Sequence, residues 1–204
     1  MKTERMTAFS DGVFAVIITI MVLELRVPEG HDLRSFWDTT GSSLLTYVLS
    51  FAFVGLYWNN HHHLFQLTKR IGGGVLWANL LLLFWLSLIP FTTAWLDESG
   101  LARTPVMIYG IDLAAAAVSW YVMQTLIVRG DAEANVLLSR ALGNDLKGKA
   151  SPVLLLAAVL AGSFIGEGGI APKVVAIGLY VTVAVMWLVP DRRMERVIRE
   201  VERQ

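Results

Sequence analysis

Long apolar runs, cut by short polar stretches that carry glycine or proline, set the rhythm of this chain. A helix crossing the hydrocarbon of a bilayer needs about 20 mostly apolar residues, and six runs meet or approach that length. They cover roughly Phe9–Leu25, Leu44–Leu67, Val75–Leu96, Pro105–Val128, Pro152–Gly166 and Pro172–Val189. Pro28 follows the first and Pro190 ends the last. Pro90 falls inside the third, where its missing N–H removes one backbone hydrogen bond and favours a kink. Thr104-Pro105 and Ser151-Pro152 both read as helix starts, a hydroxyl at the N-cap followed by proline at the first helical position. The fifth run is the shortest and closes on Gly166-Glu167-Gly168-Gly169, so hydropathy alone leaves a re-entrant path open for it.

Charge decides that point. With six spans and a cytoplasmic N-terminus, thirteen of the seventeen Lys and Arg residues fall on the cytoplasmic side. Only Arg26, Arg34, Arg103 and Lys173 fall outside, in accord with the positive-inside rule. Removing the fifth span would place the Arg-rich tail outside. The expected fold is therefore all-α: a polytopic membrane protein with six transmembrane helices per chain and both termini cytoplasmic, set in the plasma membrane. Short loops make residues 1–190 one unit. Residues 191–204 read as a short charged cytoplasmic helix with Met194, Val197, Ile198 and Val201 on one side.

Composition agrees. Of 204 residues, 55% are hydrophobic and 17% charged, against roughly 25% charged in soluble domains. The net charge of zero gives no reason to expect nucleic-acid binding, and the absence of cysteine excludes disulfides and thiolate metal sites. The first run carries Asp11 early, exceeds signal-peptide length and lacks a small-x-small cleavage site, so a cleaved leader is not expected.

Candidate chemistry gathers at the cytoplasmic ends of the first three spans. Arg5, Phe9, Ser10 and Asp11 open the first, and Thr19 is the polar residue within Val13–Leu23. At 100° per residue, Gly12, Val16, Thr19 and Leu23 form a stripe about 60° wide. Such a stripe serves helix packing as readily as a water-facing surface. An aspartate in hydrocarbon costs at least about 2.5–3.5 kcal/mol, so Asp11 must find donors. Arg5, six residues away, does not share its face. The second span supplies Trp58 and His62, four apart on one side, and the third supplies Asn79 at matching depth. Hydrogen bonds from Trp58 and His62 to Asp11 and Asn79 are the expected use of that cluster. Consecutive His61, His62 and His63 splay by 100° each, so one helix cannot aim all three at a metal; neither a metal site nor a cofactor is expected. A proton-coupled transporter using Asp11 and His62 as a relay is the alternative these residues leave open.

The run Arg5-x-x-x-Phe9-Ser10-Asp11-Gly12-Val13-Phe14-Ala15, followed by Thr19 and Leu23-Glu24, resembles the signature of the transmembrane protein 175 family of potassium channels. Trp58 to His62 and Asn79 to Pro90-Phe91 are similar to it as well. The resemblance covers about the first 95 residues. It implies a K⁺-permeable channel with first helices lining the pore and no re-entrant selectivity-filter loop, and the sequence contains no Thr-Val-Gly-Tyr-Gly segment. With one six-helix repeat per chain, it implies a homotetramer. The resemblance places apolar constrictions at Val16 and Leu23 and a threonine ring at Thr19. It makes Arg5, Asp11, Trp58, His62 and Asn79 an interhelical lock. Val16 is smaller than the Ile or Leu usual at the constriction. Glu24 and Glu29 are candidates for attracting cations to the outer mouth.

Overall fold

The computed structural model describes residues 3–68, 71–130, 145–166 and 170–189. The proposed C-terminal helix at 191–204 lies outside the described residues. Six helices follow in order: α1 (Thr3–Leu23), α2 (Leu33–Gln66), α3 (Gly73–Glu98), α4 (Arg103–Gly130), α5 (Leu146–Ser163) and α6 (Ala171–Leu188). All six are long and apolar enough to cross a bilayer, and no strand occurs among the described residues. The protein is an all-α, multi-pass membrane protein.

Several helices begin earlier than hydropathy indicates. α2 starts eleven residues before Leu44 because Asp32 caps it, its Oδ1 accepting the Ser35 N–H at 2.7 Å. That first stretch is rich in Thr, Ser and Asp, which conceals a helix from a hydropathy window. Its 34 residues measure about 51 Å at 1.5 Å per residue, well beyond the bilayer core. α5 begins at Leu146 rather than at Ser151-Pro152. Asp145, at φ 38°, is its cap and accepts the Gly148 N–H at 3.0 Å. Ser151 sits inside the helix and donates to the Lys147 carbonyl at 2.8 Å, so its hydroxyl is not a cap. α4 likewise starts at Arg103, with Thr104 and Pro105 in its first turn. α3 runs through Pro90 without ending.

α4 is the centre of the bundle. It packs against α3 on one side and α5 on the other, and α6 closes over α5. Buried Val106, Tyr109, Leu113, Ala116, Ala117, Trp120, Met123 and Ile127 give α4 an apolar surface most of the way round, as expected of a helix enclosed by protein. Tyr180 of α6 donates to the Val106 carbonyl at 2.7 Å. Gly110 makes that approach possible: a Cβ there would collide with Tyr180 Oη and Val159 Cγ2. On the inner side, Gln124 of α4 donates to Asp145 Oδ2 at 2.8 Å, and Trp187 of α6 donates to Ser151 Oγ at 2.7 Å. α1 stands at the edge, packed mainly against α2 and α3.

Candidate functional site

α1 has two faces of different character. Met6, Ser10, Phe14, Ile17 and Met21, spaced by three or four, are buried against α2 and α3. The opposite face carries Phe9, Gly12, Val16, Thr19, Ile20 and Leu23, all exposed; Val16 is 55% and Leu23 79% open. The Thr19 hydroxyl donates back to the Ala15 and Val16 carbonyls at 3.0 Å each. Its one hydrogen is thus turned to the backbone, and its oxygen lone pairs face away from the helix. An open groove of about 750 Å³ runs beside this face, lined by Phe9, Val16 and Ile20 of α1 and Pro90 and Phe91 of α3.

The buried face is fastened by polar side chains at the cytoplasmic end. Trp58 Nε1 donates to Asp11 Oδ1 at 3.0 Å, so Asp11 meets a donor from α2. Asn79 Nδ2 donates to Ser10 Oγ at 3.0 Å, and Ser10 donates onward to the Met6 carbonyl at 2.9 Å. Asn79 Oδ1 lies 2.9 Å from His61 Nε2. With the amide so oriented, His61 is the donor and its proton sits on Nε2. Ser10, His61 and Asn79 are all buried, so each unmade bond here carries the desolvation cost of its group. Phe14 and Phe65 enclose the His61 ring, with centroids 5.7 and 4.6 Å away.

The structure therefore brings Ser10, Asp11, Trp58 and Asn79 into direct contacts between α1, α2 and α3. His62 takes a different position. It is exposed, stacks on Trp58 at 6.2 Å and pairs with Gln66 of its own helix at 2.9 Å. No hydrogen bond joins it to Asp11 or Asn79 among the described residues. Arg5 and Phe9 are exposed on α1, and Arg5 has no ion pair with a described residue. His61 is the residue that sequence reasoning passed over. The signal was the stripe Ser50, Val54, His61, Leu64 and Phe65, which puts His61 on the inward face of α2 and His62 beside it. Among the described residues no group of three His, Asp or Glu side chains is placed to hold a metal ion. At the outer end Glu24 and Glu29 are exposed. Arg26 pairs with Glu98 at 3.0 Å, and Ser43 donates to Asp97 at 2.5 Å.

A six-span bundle whose leading helix is clasped by polar groups on one face and bare on the other has the build of an ion-channel subunit. The family described as endosomal/lysosomal potassium channel TMEM175 matches residues 5–90. A protein of Chryseobacterium sp. (strain P1-3) named as a potassium channel is 44% identical over 98% of this chain and 100% of its own length. The human endosomal/lysosomal proton channel TMEM175 is 33% identical over 52% of this chain, which spans 23% of that longer protein. The crystal structure of a lysosomal potassium-selective channel TMEM175 homolog from Chamaesiphon minutus superposes with a TM-score of 0.73 at 27% identity, over 93% of this chain and 98% of that one. This chain belongs to the TMEM175 family, a family of ion channels and not of enzymes.

Proposed function

We propose that this chain is a subunit of a homotetrameric, potassium-permeable channel in the plasma membrane, with four copies of α1 around a central aqueous path. The observation that carries this reading is the bare stripe of α1. A helix pinned by Ser10, Asp11 and Phe14 on one side presents Val16, Thr19 and Leu23, all exposed among the described residues, on the other. Rings of Val16 and Leu23 form apolar constrictions that block ions by dewetting. A ring of Thr19 oxygens between them offers lone pairs to a partly dehydrated cation, and K⁺ sheds water at lower cost than Na⁺. Glu24 and Glu29 raise the local cation concentration at the outer mouth. Both termini face the cytoplasm.

Ser10, Asp11, Trp58 and Asn79 act as the lock that fixes the rotation of α1 about its own axis and so decides which residues face the path. Arg5, Phe9 and His62 flank this lock at the cytoplasmic mouth. The names of the relatives support K⁺ as the permeant ion, and those of the animal relatives add protons. K⁺ flux into liposomes carrying purified protein tests the assignment. Thr19→Ala is expected to reduce K⁺ over Na⁺ preference and Leu23→Ser to raise the basal leak. Unchanged flux and selectivity in both variants would remove α1 from the ion path.

A further inference from the structure

Asp112 of α4 stands apart from the α1 site and has only 3% of its surface exposed. An ionisable side chain inside a membrane bundle marks function by default, and a charged one needs donors. The partners here are few. Thr92 Oγ1 lies 3.1 Å from Asp112 Oδ2 and 3.3 Å from the Ile89 carbonyl. A threonine hydroxyl has one hydrogen, so Asp112 receives at most one bond from it, shared with the Ile89 carbonyl. As an ionised carboxylate Asp112 has that shared hydrogen alone; as a neutral acid it can itself donate to Thr92 and leave the Thr92 hydrogen to Ile89. No described residue hydrogen-bonds to Oδ1.

Among the described residues no ion pair to Asp112 is formed. Tyr57 of α2 and Tyr109 of α4 lie within electrostatic reach of Asp112, and the Tyr109 ring meets Tyr180 of α6 at 5.3 Å. α3 contributes Thr92. The lysines of α5 sit in its first turn at the inner end, and Lys173 of α6 is tied to the Gly100 carbonyl at the outer end. We propose that Asp112 is a proton-binding site, a neutral carboxylic acid in each subunit, and that release of its proton shifts the α3–α4 contact beside α1.

A line of hydroxyls leads from the outer side to within one helical turn of Asp112, and a proton would have to cross from the carboxyl to Tyr109 without a hydrogen bond already in place. A small outer pocket between α1, α2 and α3 is lined by Glu24, Ser43, Asp97, Glu98 and Thr93. From it, Thr93 donates to Ser50 Oγ at 2.7 Å, and Ser50 lies 3.0 Å from the Tyr109 hydroxyl. Tyr109 is one helical turn from Asp112 on the same face of α4. On release, the carboxyl O–H bond breaks, the proton leaves through these hydroxyls to outer water, and a carboxylate without a donor at Oδ1 stays behind. Thr92 follows Pro90 by two residues, and Pro90 and Phe91 line the groove along Val16 and Ile20. This coupling, unlike the proton site itself, rests on the reading of α1 as the ion path.

Infrared spectroscopy of the full chain in lipid separates the two parts. At neutral pH the wild type is expected to show the C=O stretch of a protonated carboxyl, moved to lower frequency in D₂O and missing from Asp112→Asn. Thr92→Val, which removes the acceptor, moves the band to higher frequency. Spectra of wild type and Asp112→Asn that coincide in this region overturn the proton site whether or not the protein conducts. In liposome flux, alkaline pH is expected to change the wild-type rate several-fold and to leave Asp112→Asn nearly flat. A variant with the wild-type pH profile overturns the coupling to α1, while the infrared band still reports on the site.

Discussion

α1 and α4 are both apolar helices with a single aspartate away from their ends, yet the bundle treats them in opposite ways. The membrane-length window of α4 is 61% buried, that of α1 28%. α4 is held by close packing over most of its surface, with Ile111, Val118 and Val122 left exposed, and a glycine lets Tyr180 reach its backbone. α1 is held by a handful of polar contacts at one end and one apolar face. Their aspartates follow suit. Asp11, half-buried near the cytoplasmic end, meets the Trp58 indole; Asp112, fully enclosed, meets one threonine. Hydropathy ranks such helices together, and their work differs because of what covers them.

The contrast can be broken most severely at Asn79. Asn79→Leu strips partners from both Ser10 and His61, at an expected cost of about 2–4 kcal/mol, read as a lower midpoint in detergent denaturation. It should also loosen α1 enough to lower K⁺ flux. Gly110→Val attacks the other side of the comparison. Its added Cβ and methyls strain α4 against Tyr180 and Val159, with a loss of about 1–3 kcal/mol in the same assay. Trp58→Phe keeps an aromatic ring and deletes one hydrogen bond to a carboxylate, for about 1.5–3 kcal/mol; a larger loss would mean that Asp11 has no other solvation. Val16→Ala trims a side chain more than half exposed, so stability should hold within about 0.5 kcal/mol while ion flux rises. A stability loss well beyond that would show Val16 to be a packing residue.

The smallest effect concerns neither helix core. Hydrogen bonds from the Ser35 side chain and backbone hold the Asp32 carboxyl below the usual aspartate range. A lowered value in the folded state means that the cap is fully formed above the ordinary aspartate range and is lost as pH falls through the lowered one. Acidification into that range should lower the protection of the Ser35 amide, taken relative to its intrinsic exchange rate, and leave protection deep in α4 unchanged.

Much of this was legible in the residues. Six spans followed from hydropathy and lysine–arginine placement, and the Phe9-Ser10-Asp11 motif identified the family. The Asp11–Trp58 contact followed from the need of a membrane carboxylate for a donor. The same rule, applied to the fourth run, would have flagged Asp112, which stands alone among alanines and leucines. The start of α2 was hidden because Thr39, Thr40, Ser42 and Ser43 depress hydropathy without breaking a helix. Choosing His61 over His62 required the rotation of α2, which rests on packing against α3 and not on the local triplet. Nothing in Ser151-Pro152 warned that Asp145, six residues earlier, is the cap.

The span of α3 has a mechanical consequence. Trp77, 75% exposed, and Trp95, 37% exposed, stand eighteen residues apart on one helix. Tryptophan settles at the lipid headgroups, so this rod fixes a separation of about 27 Å between the two levels where the protein grips the bilayer. A helix cannot stretch. In a thicker sheet of lipid, either the surrounding acyl chains compress or the rod changes its tilt. Because Pro90 and Phe91 flank the groove along α1, a change in tilt would be transmitted there. Chain length of the host lipid thus becomes an input that the molecule can feel.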